Sequence, residues 1–506
     1  MKKLSILFLG MILMPSMYAQ DIFDAVRYST DQVKGTARFK SMSGAFGALG
    51  GDMSAVSINP AGSAIFNNSH ASLSVSNFDT DNTTTYFGNT NGTNNSNFEF
   101  SQAGGAFVFK NTNENSPWGK LVIGLSYEQT GNFDDSFFAS GVNTRSIDSY
   151  FLQQAQGLRL DQISLFEGET VTDAYGDIGA TFGYPHQQAF LGFESFILEP
   201  EDILDDANTV YFSNIAPGTF NQEYSLASTG YNGKFTVNAA VQHKDNISLG
   251  INLNSHFINY NRSTYLFEGN DNPGSIVREV GFENNLATTG RGFSFQLGGI
   301  AKLNDILRVG LTYDSPVWYT ISEETTQYLA TIRESGSETI TTILDPRVVN
   351  IFPDYRLQTP ANITASAALV FGKKGLISFD YSRKDFGNTK FKPESDANFA
   401  AQNNAINDLL TAANTYRIGG ELRHKQFSFR GGYRLSESPF KDDTFYGDLE
   451  GYSLGIGYSF GKTKIDLAYE NSERTINHQL YSIGLTDTAR VDTDNSEVTL
   501  SLSFTL

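Results

Sequence analysis

Gly451-Tyr452-Ser453-Leu454-Gly455 has the spacing of a nucleophile elbow. Such a serine works only at a strand-to-helix turn with a histidine and a carboxylate beside it. Here Leu454, Ile456, Tyr458 and Phe460 alternate with Ser453, Gly455, Gly457 and Ser459. That is the period-two pattern of a strand, so no nucleophile is assigned. Gly455-Ile456-Gly457 opens no helix and is no phosphate loop. The six histidines, at 70, 186, 243, 256, 424 and 478, show no metal-ligand spacing, and cysteine is absent. No catalytic residue, metal or cofactor is expected. Asp134-Asp135, Asp205-Asp206 and Asp442-Asp443 lack the order of a calcium loop and read as solvated acidic surface, divalent-cation binding being the weaker reading.

The chemistry that remains is binding. Arg417, Glu421 and Arg423, then Arg430 and Arg434, fall on one face of two neighbouring strand-like segments. An arginine cluster of this kind holds a carboxylate through charge-assisted hydrogen bonds. In the alternative, these arginines pair with Glu421, Asp466 or Glu470 and only stiffen the structure. Phe190, Leu191, Phe193, Phe196, Ile197 and Leu198 form an apolar cluster inside a long connection. It is either that connection's private core or a landing surface for amphiphiles, with Phe193 and Phe196 as its binding residues.

The elements that must position these residues are strands. Val498, Leu500, Leu502, Phe504 and Leu506 face one way, and Glu497, Thr499, Ser501, Ser503 and Thr505 the other. Ile465/Leu467/Tyr469 and Ile377/Phe379/Tyr381 repeat the pattern. Residues 1–19 read as a secretory signal, with Lys2 and Lys3 before a short apolar run; its removal takes the net charge from −19 to −21. That acidity argues against a nucleic-acid partner. No later apolar run reaches the roughly 20 residues of a membrane helix. Aromatics at 13%, mostly Phe and Tyr, suit a membrane barrel with aromatic girdles. In such a barrel the apolar face meets lipid; in a soluble sandwich it would be the buried one. Alternation alone does not choose between them.

Tight connections are expected at 243–246, 302–305, 372–375, 424–426 and 461–462, with a slightly longer one at 111–117. Long polar connections are expected near 87–97, 134–226, 267–287, 322–356, 387–410, 437–448 and 477–493. Six short and seven long connections join about 14 antiparallel strands. In 134–226, the longest, apolar residues recur at helical spacing through 149–166, which predicts helices over the outer mouth. Ahead of the strands lies GTARFKSMSGAFGALGGDMSAVSINPAGSAIF (35–66), rich in Gly and Ala and closing in Asn59-Pro60-Ala61-Gly62. It predicts a tightly packed plug with helix-like parts at 44–49 and 53–58, too short to persist without a surrounding wall.

A Gly/Ala-rich N-terminal segment ending in Asn59-Pro60-Ala61-Gly62 and followed by many amphipathic strands resembles the FadL family of outer-membrane transporters. VNAAVQHKDNISLGINL (237–253), RVGLTYDSPV (308–317), QTPANITASAALVF (358–371) and FSFRGGYRLSESPF (427–440) are similar to that family too. The expected organisation is therefore a signal at 1–19, a plug at 20–68 and an all-β transmembrane antiparallel barrel at 69–506. The resemblance implies a monomer in the outer membrane of a Gram-negative bacterium, inserted by the barrel-assembly machinery and surrounded by lipid. It implies transport of fatty acids or other hydrophobic small molecules; Phe23, in an apolar N-terminal tip, and Arg417, Arg430 and Arg434, by their inward facing alone, are the residues expected near the ligand. It also implies a side exit at a break in the third strand, placed at Gly131-Asn132 because glycine weakens pairing. The alternative is a surface barrel that transports nothing and serves as an adhesin or envelope component.

Overall fold

The computed structural model describes residues 22–113, 115–336 and 338–506, so the signal expected at 1–19 lies outside the described residues. The chain folds as a closed antiparallel barrel of 14 strands. The strands are β1 His70–Tyr86, β2 Asn89–Lys110, and β3 Trp118–Asn132 continued by Asp135–Asn143. Next come β4 Phe220–His243, β5 Ile247–Gly269, β6 Val277–Lys302, and β7 Leu307–Asp314 with Trp318–Ser335. Strand β8 is broken into Glu338–Leu344, Asn350–Ile351, Tyr355–Gln358 and Asn362–Val370, and β9 into Gly375–Asp385 and Lys390–Lys392. Then follow β10 Ala412–His424, β11 Phe427–Ser436, β12 Leu449–Ser459, β13 Thr463–Gln479 and β14 Thr488–Thr505. Strand β1 pairs with β14 from His70↔Thr505 to Thr85↔Arg490, which closes the sheet on itself.

The alternation decides between barrel and sandwich once the wall is closed. Leu249, Leu454, Leu467 and Leu500 point outward and stay exposed, whereas Ser453, Asp466 and Thr499 are buried in the lumen. Apolar-out is the lipid-facing arrangement. Several long polar stretches differ from expectation. Residues 89–101 continue β2 as strand, and its hairpin with β1 turns on Phe87 (φ 44°) and Gly88 (φ 86°) alone. These strands project past the apolar band, where alternating Asn and Thr replace the apolar pattern that marks a strand in sequence.

Residues 22–66 fill the lumen. Helix α1 spans Ile22–Ser29, single helical turns span Ala37–Lys40 and Ala55–Ile58, and Pro60–Ile65 forms a 3₁₀ helix. The helix expected at 44–49 is a run of turns, because Ser43, Gly44, Gly50 and Gly51 take positive φ. The barrel makes room through inward glycines. A Cβ on Gly250 would stand 2.4 Å from the Pro60 carbonyl carbon, and one on Gly310 2.3 Å from the Gly47 oxygen. Asn59 Nδ2 donates to the Gly47 and Gly299 carbonyls at 2.8 and 3.1 Å, and its Oδ1 accepts from Ala61 N at 3.1 Å. The Asn-Pro-Ala-Gly motif thus ties the plug to itself and to β6.

Above the barrel, helices Asp148–Ala155, Val171–Phe182 and Tyr184–Glu194 cap the mouth. Only the first lies in the stretch whose spacing predicts helix. Phe190, Leu191, Ile197 and Leu198 belong to the core these helices share with the projecting strand ends.

Candidate functional site

Between the plug and the outer cap lies a cavity of about 1420 Å³. Helix α1 is amphipathic, and Ile22, Ala25 and Val26 bury against Ile258, Leu286, Ile321 and Leu357 of the wall. Its tip reaches into the cavity. Phe23 lies 5.7 Å from Phe440 and 5.3 Å from Phe445, ring centre to ring centre, in an aromatic box built by the 437–448 connection. Lower on α1, Tyr28 packs edge-on against Phe133 and Tyr260, and the Arg27 guanidinium sits 4.3 Å from the Tyr260 ring centre. Aromatic rings and a cationic edge surround a space large enough for an apolar molecule of moderate size.

The wall beside this cavity is incomplete. The β2–β3 ladder runs only from Lys110↔Lys120 to Gln102↔Glu128. Above it, residues 89–101 of β2 pair with β1 alone, and Asp135–Asn143 of β3 pairs with β4 alone. Strand β3 bulges between Gln129 and Gly131 and stops at Asn132, with Phe133-Asp134 as the break. Side chains span the gap in place of a ladder. Asn82 Nδ2 donates to Asp135 Oδ1 at 2.6 Å, Thr93 Oγ1 to Ser136 O at 2.6 Å, and Asn97 hydrogen-bonds Asp134.

The plug holds the freed edge of β3. Gln32 N donates to Thr130 O at 3.0 Å, while its side-chain amide donates to Asn132 O and accepts from Asn132 N, both at 3.1 Å. This is a strand-like pairing supplied by the plug. Glu99 on β2 completes it by accepting from Gln129 and Asn132 across the gap, each at 2.9 Å, and from Lys34 of the plug at 2.5 Å. Lys34 also donates to Glu497 at 3.2 Å. Burial alone would depress the Lys34 ammonium, but Glu497 and Glu99 outweigh it and hold it above the usual lysine range.

Of the residues singled out in the sequence, Phe23, Gly131, Asn132 and Arg434 line the cavity, and Arg417, Arg430, Phe193 and Phe196 do not. Arg430 is ion-paired with Glu421 and Asp466 at 2.6 and 2.7 Å, and Arg434 faces Glu470 at 3.6 Å. Those are the stiffening pairs of the alternative reading. Arg417 reaches the plug, with its Cδ 3.6 Å from where a Gly44 Cβ would stand. Phe193 packs against the cap's core, and Phe196 is exposed beneath the Arg333 guanidinium at 3.9 Å. Sequence reasoning missed Gln32, Glu99, Arg262 and Arg474. Arg262 and Arg474 line the cavity and form no ion pair among the described residues; Arg474 bonds only the Tyr446 hydroxyl. Glu99, a carboxylate between Phe98 and Phe100, offered a signal as a charge on the lumen face. Gln32 offered none.

No protein-family model and no curated protein sequence matches the chain. Solved structures do resemble it. A FadL homologue of Pseudomonas aeruginosa superposes with a TM-score of 0.54 over 94% of this chain and 100% of its own, at 13% identity. The Pseudomonas putida toluene transporter TodX superposes with a TM-score of 0.50 over 94% and 100%, at 12% identity. The fold expected from the plug motif and strand order is thus the fold of those proteins.

Proposed function

We propose that this barrel carries hydrophobic small molecules, fatty acids among them, inward across the outer membrane, and that they leave sideways through the gap between β2 and β3. One observation carries the reading: the β2–β3 ladder ends at Gln102↔Glu128, beside a cavity lined by aromatic rings from the wall, the plug and the cap. An apolar solute loses about 25 cal/mol for each Å² it exposes to water, so a path from apolar pocket to lipid favours it over an aqueous pore. The α1 tip closes the cavity by placing Phe23 in the Phe440/Phe445 box, and ligand displaces it by shifting an existing balance between tip-in and tip-out. Arg262 and Arg474 supply charge for a carboxylate head. The similar structures named for toluene transport support the apolar part of this reading.

The test is uptake of labelled long-chain fatty acid and of toluene by cells lacking their own transporter. The cells carry wild type, Gly131→Val or a deletion of residues 22–25 at matched surface levels. Uptake above empty cells by wild type, reduced by Gly131→Val and raised by the deletion, is expected. If wild type takes up neither compound, the chain is a non-transporting surface barrel. Were both variants to transport like wild type, the side exit would be wrong.

A further inference from the structure

At the short-turn end, beneath the plug, a second cavity of about 450 Å³ opens toward the periplasm. Its chemistry is opposite to that of the upper one. Six cations line it, Arg38, Arg308, Arg423, Lys425, Arg430 and Lys464, against one carboxylate, Glu421. Arg38, Arg423 and Arg430 all converge on Glu421. Behind them Arg430 also pairs with Asp466 at 2.7 Å, and Arg38 meets Asp52 at 4.0 Å. Six cations against Glu421, Asp466 and Asp52 leave an excess of three positive charges, in a chain whose formal net charge is −19. The unmatched groups are Arg308, Lys425 and Lys464, which form no ion pair among the described residues. The one hydrogen bond of the Arg308 side chain there goes to the Leu49 carbonyl at 3.3 Å.

We propose that this mouth is an anion site, built for a phosphate or carboxylate group. Cations held together without counter-charge repel one another, and an anion placed among them relieves that cost while gaining charge-assisted bonds. Ser428, Ser459 and Gln426 add neutral donors, and Leu49, Val370 and Leu376 form an apolar wall along one side. The head group of an amphiphile and free phosphate share the required chemistry, and the apolar wall separates them, since only the former gains from it. Because Arg38, Leu49, Gly50 and Gly51 belong to the plug while Arg308, Lys425 and Lys464 belong to the barrel, a bound anion fastens one to the other. The site is independent of the transport reading, as the plug lies between the two cavities.

The experiment titrates the full-length barrel in a neutral detergent with inorganic phosphate and with octyl phosphate, followed by calorimetry at low and high salt. Arg262 and Arg474 of the upper cavity also carry charge unpaired among the described residues, so saturable phosphate binding that weakens with salt is assigned to this mouth by the variants below. The variant Arg308→Gln/Lys464→Gln is expected to bind at least about tenfold more weakly, the equivalent of one charge-assisted contact. Arg474→Ala, in the upper cavity, is expected to bind like wild type. Lys425→Gln, on an exposed turn where folding is not at stake, is expected to weaken binding to a smaller degree. Tighter binding of octyl phosphate than phosphate, lost in the double variant, identifies an amphiphile head; equal binding identifies free phosphate. Absence of saturable phosphate binding by wild type overturns the proposal. So does binding that Arg308→Gln/Lys464→Gln leaves unchanged while the variant keeps the heat-modifiable migration of a folded barrel.

Discussion

Gln32→Leu isolates the plug's grip on the side opening. The substitution keeps the bond from Gln32 N to Thr130 O, which is backbone, and removes both side-chain bonds to Asn132. Asn132 is buried, and neither β2 nor another strand stands ready to replace the lost partners on that side. A neutral hydrogen bond contributes about 1 kcal/mol net, and a buried group left unpaired costs more, so two such losses at a site bordering a cavity come to about 2 kcal/mol. That is roughly a 30-fold rise in the population of the opened edge. Amide hydrogen exchange followed by mass spectrometry reads this population directly. Peptides covering 128–134 are expected to exchange about 30-fold faster in the variant, while peptides from β13 and β14 stay unchanged. Gln32→Glu keeps an acceptor for Asn132 N but has no donor for Asn132 O, and is expected to fall between. Uptake of labelled fatty acid should rise in the same order. Unchanged exchange at 128–134 in Gln32→Leu would show that the plug does not hold β3, and the coupling drawn from these three bonds would be refuted.

Other expectations follow from contacts in the same region. Gly131→Val places a Cβ 2.5 Å from Asn232 Oδ1, so Asn232 must swing away; the barrel should still assemble, with heat-modifiable migration intact, and fatty acid uptake should drop several-fold. Gly310→Val meets plug backbone at 2.3 Å and cannot be relieved by a side-chain rotation, so the plug should unseat and planar-bilayer recordings should show small-ion conductance absent from wild type. Phe193→Asp with Phe196→Asp should raise protease cleavage within 160–215, because Phe193 packs on the cap core, whereas Phe196→Asp alone should leave the cleavage pattern as in wild type.

The barrel was legible because its signal is repeated. Alternation at 453–460 and 497–506 matches the paired strands β12 and β14, and the short turns fell where the tight connections were expected. The cap was only partly legible. Helix Val171–Phe182 carries Gly176 and Gly179, and Tyr184–Glu194 buries Gln187 and Gln188 beside its apolar residues, so neither presents a clean apolar stripe. Those glutamines are buried because Gln188 bonds Gln327 of β7 and Gln187 bonds Asn350 of β8, partners more than a hundred residues away.

The arginines show why site residues were harder to place than strands. Inward facing is fixed by the period of two, and Arg417, Arg430 and Arg434 all face inward, but height along the barrel axis decides what each one meets. Arg434 reaches the upper cavity, Arg417 the plug and Arg430 the lower mouth, although all lie on the adjacent strands β10 and β11. Height is set by register against the plug, and the plug's position is set by glycines whose role is to lack a side chain. Gly250, Gly298, Gly310 and Gly432 read in sequence as strand-weakening residues, yet each marks plug backbone or Asn59 pressed against the wall. The same logic separates the two cavities. Once the plug is seated at that height, Arg262 and Arg474 are left among aromatic rings above it, and Arg308 and Lys464 face the open mouth below. One inward alternation of charge along the wall therefore yields an apolar chamber with cationic spots on one side of the plug and a cationic mouth on the other.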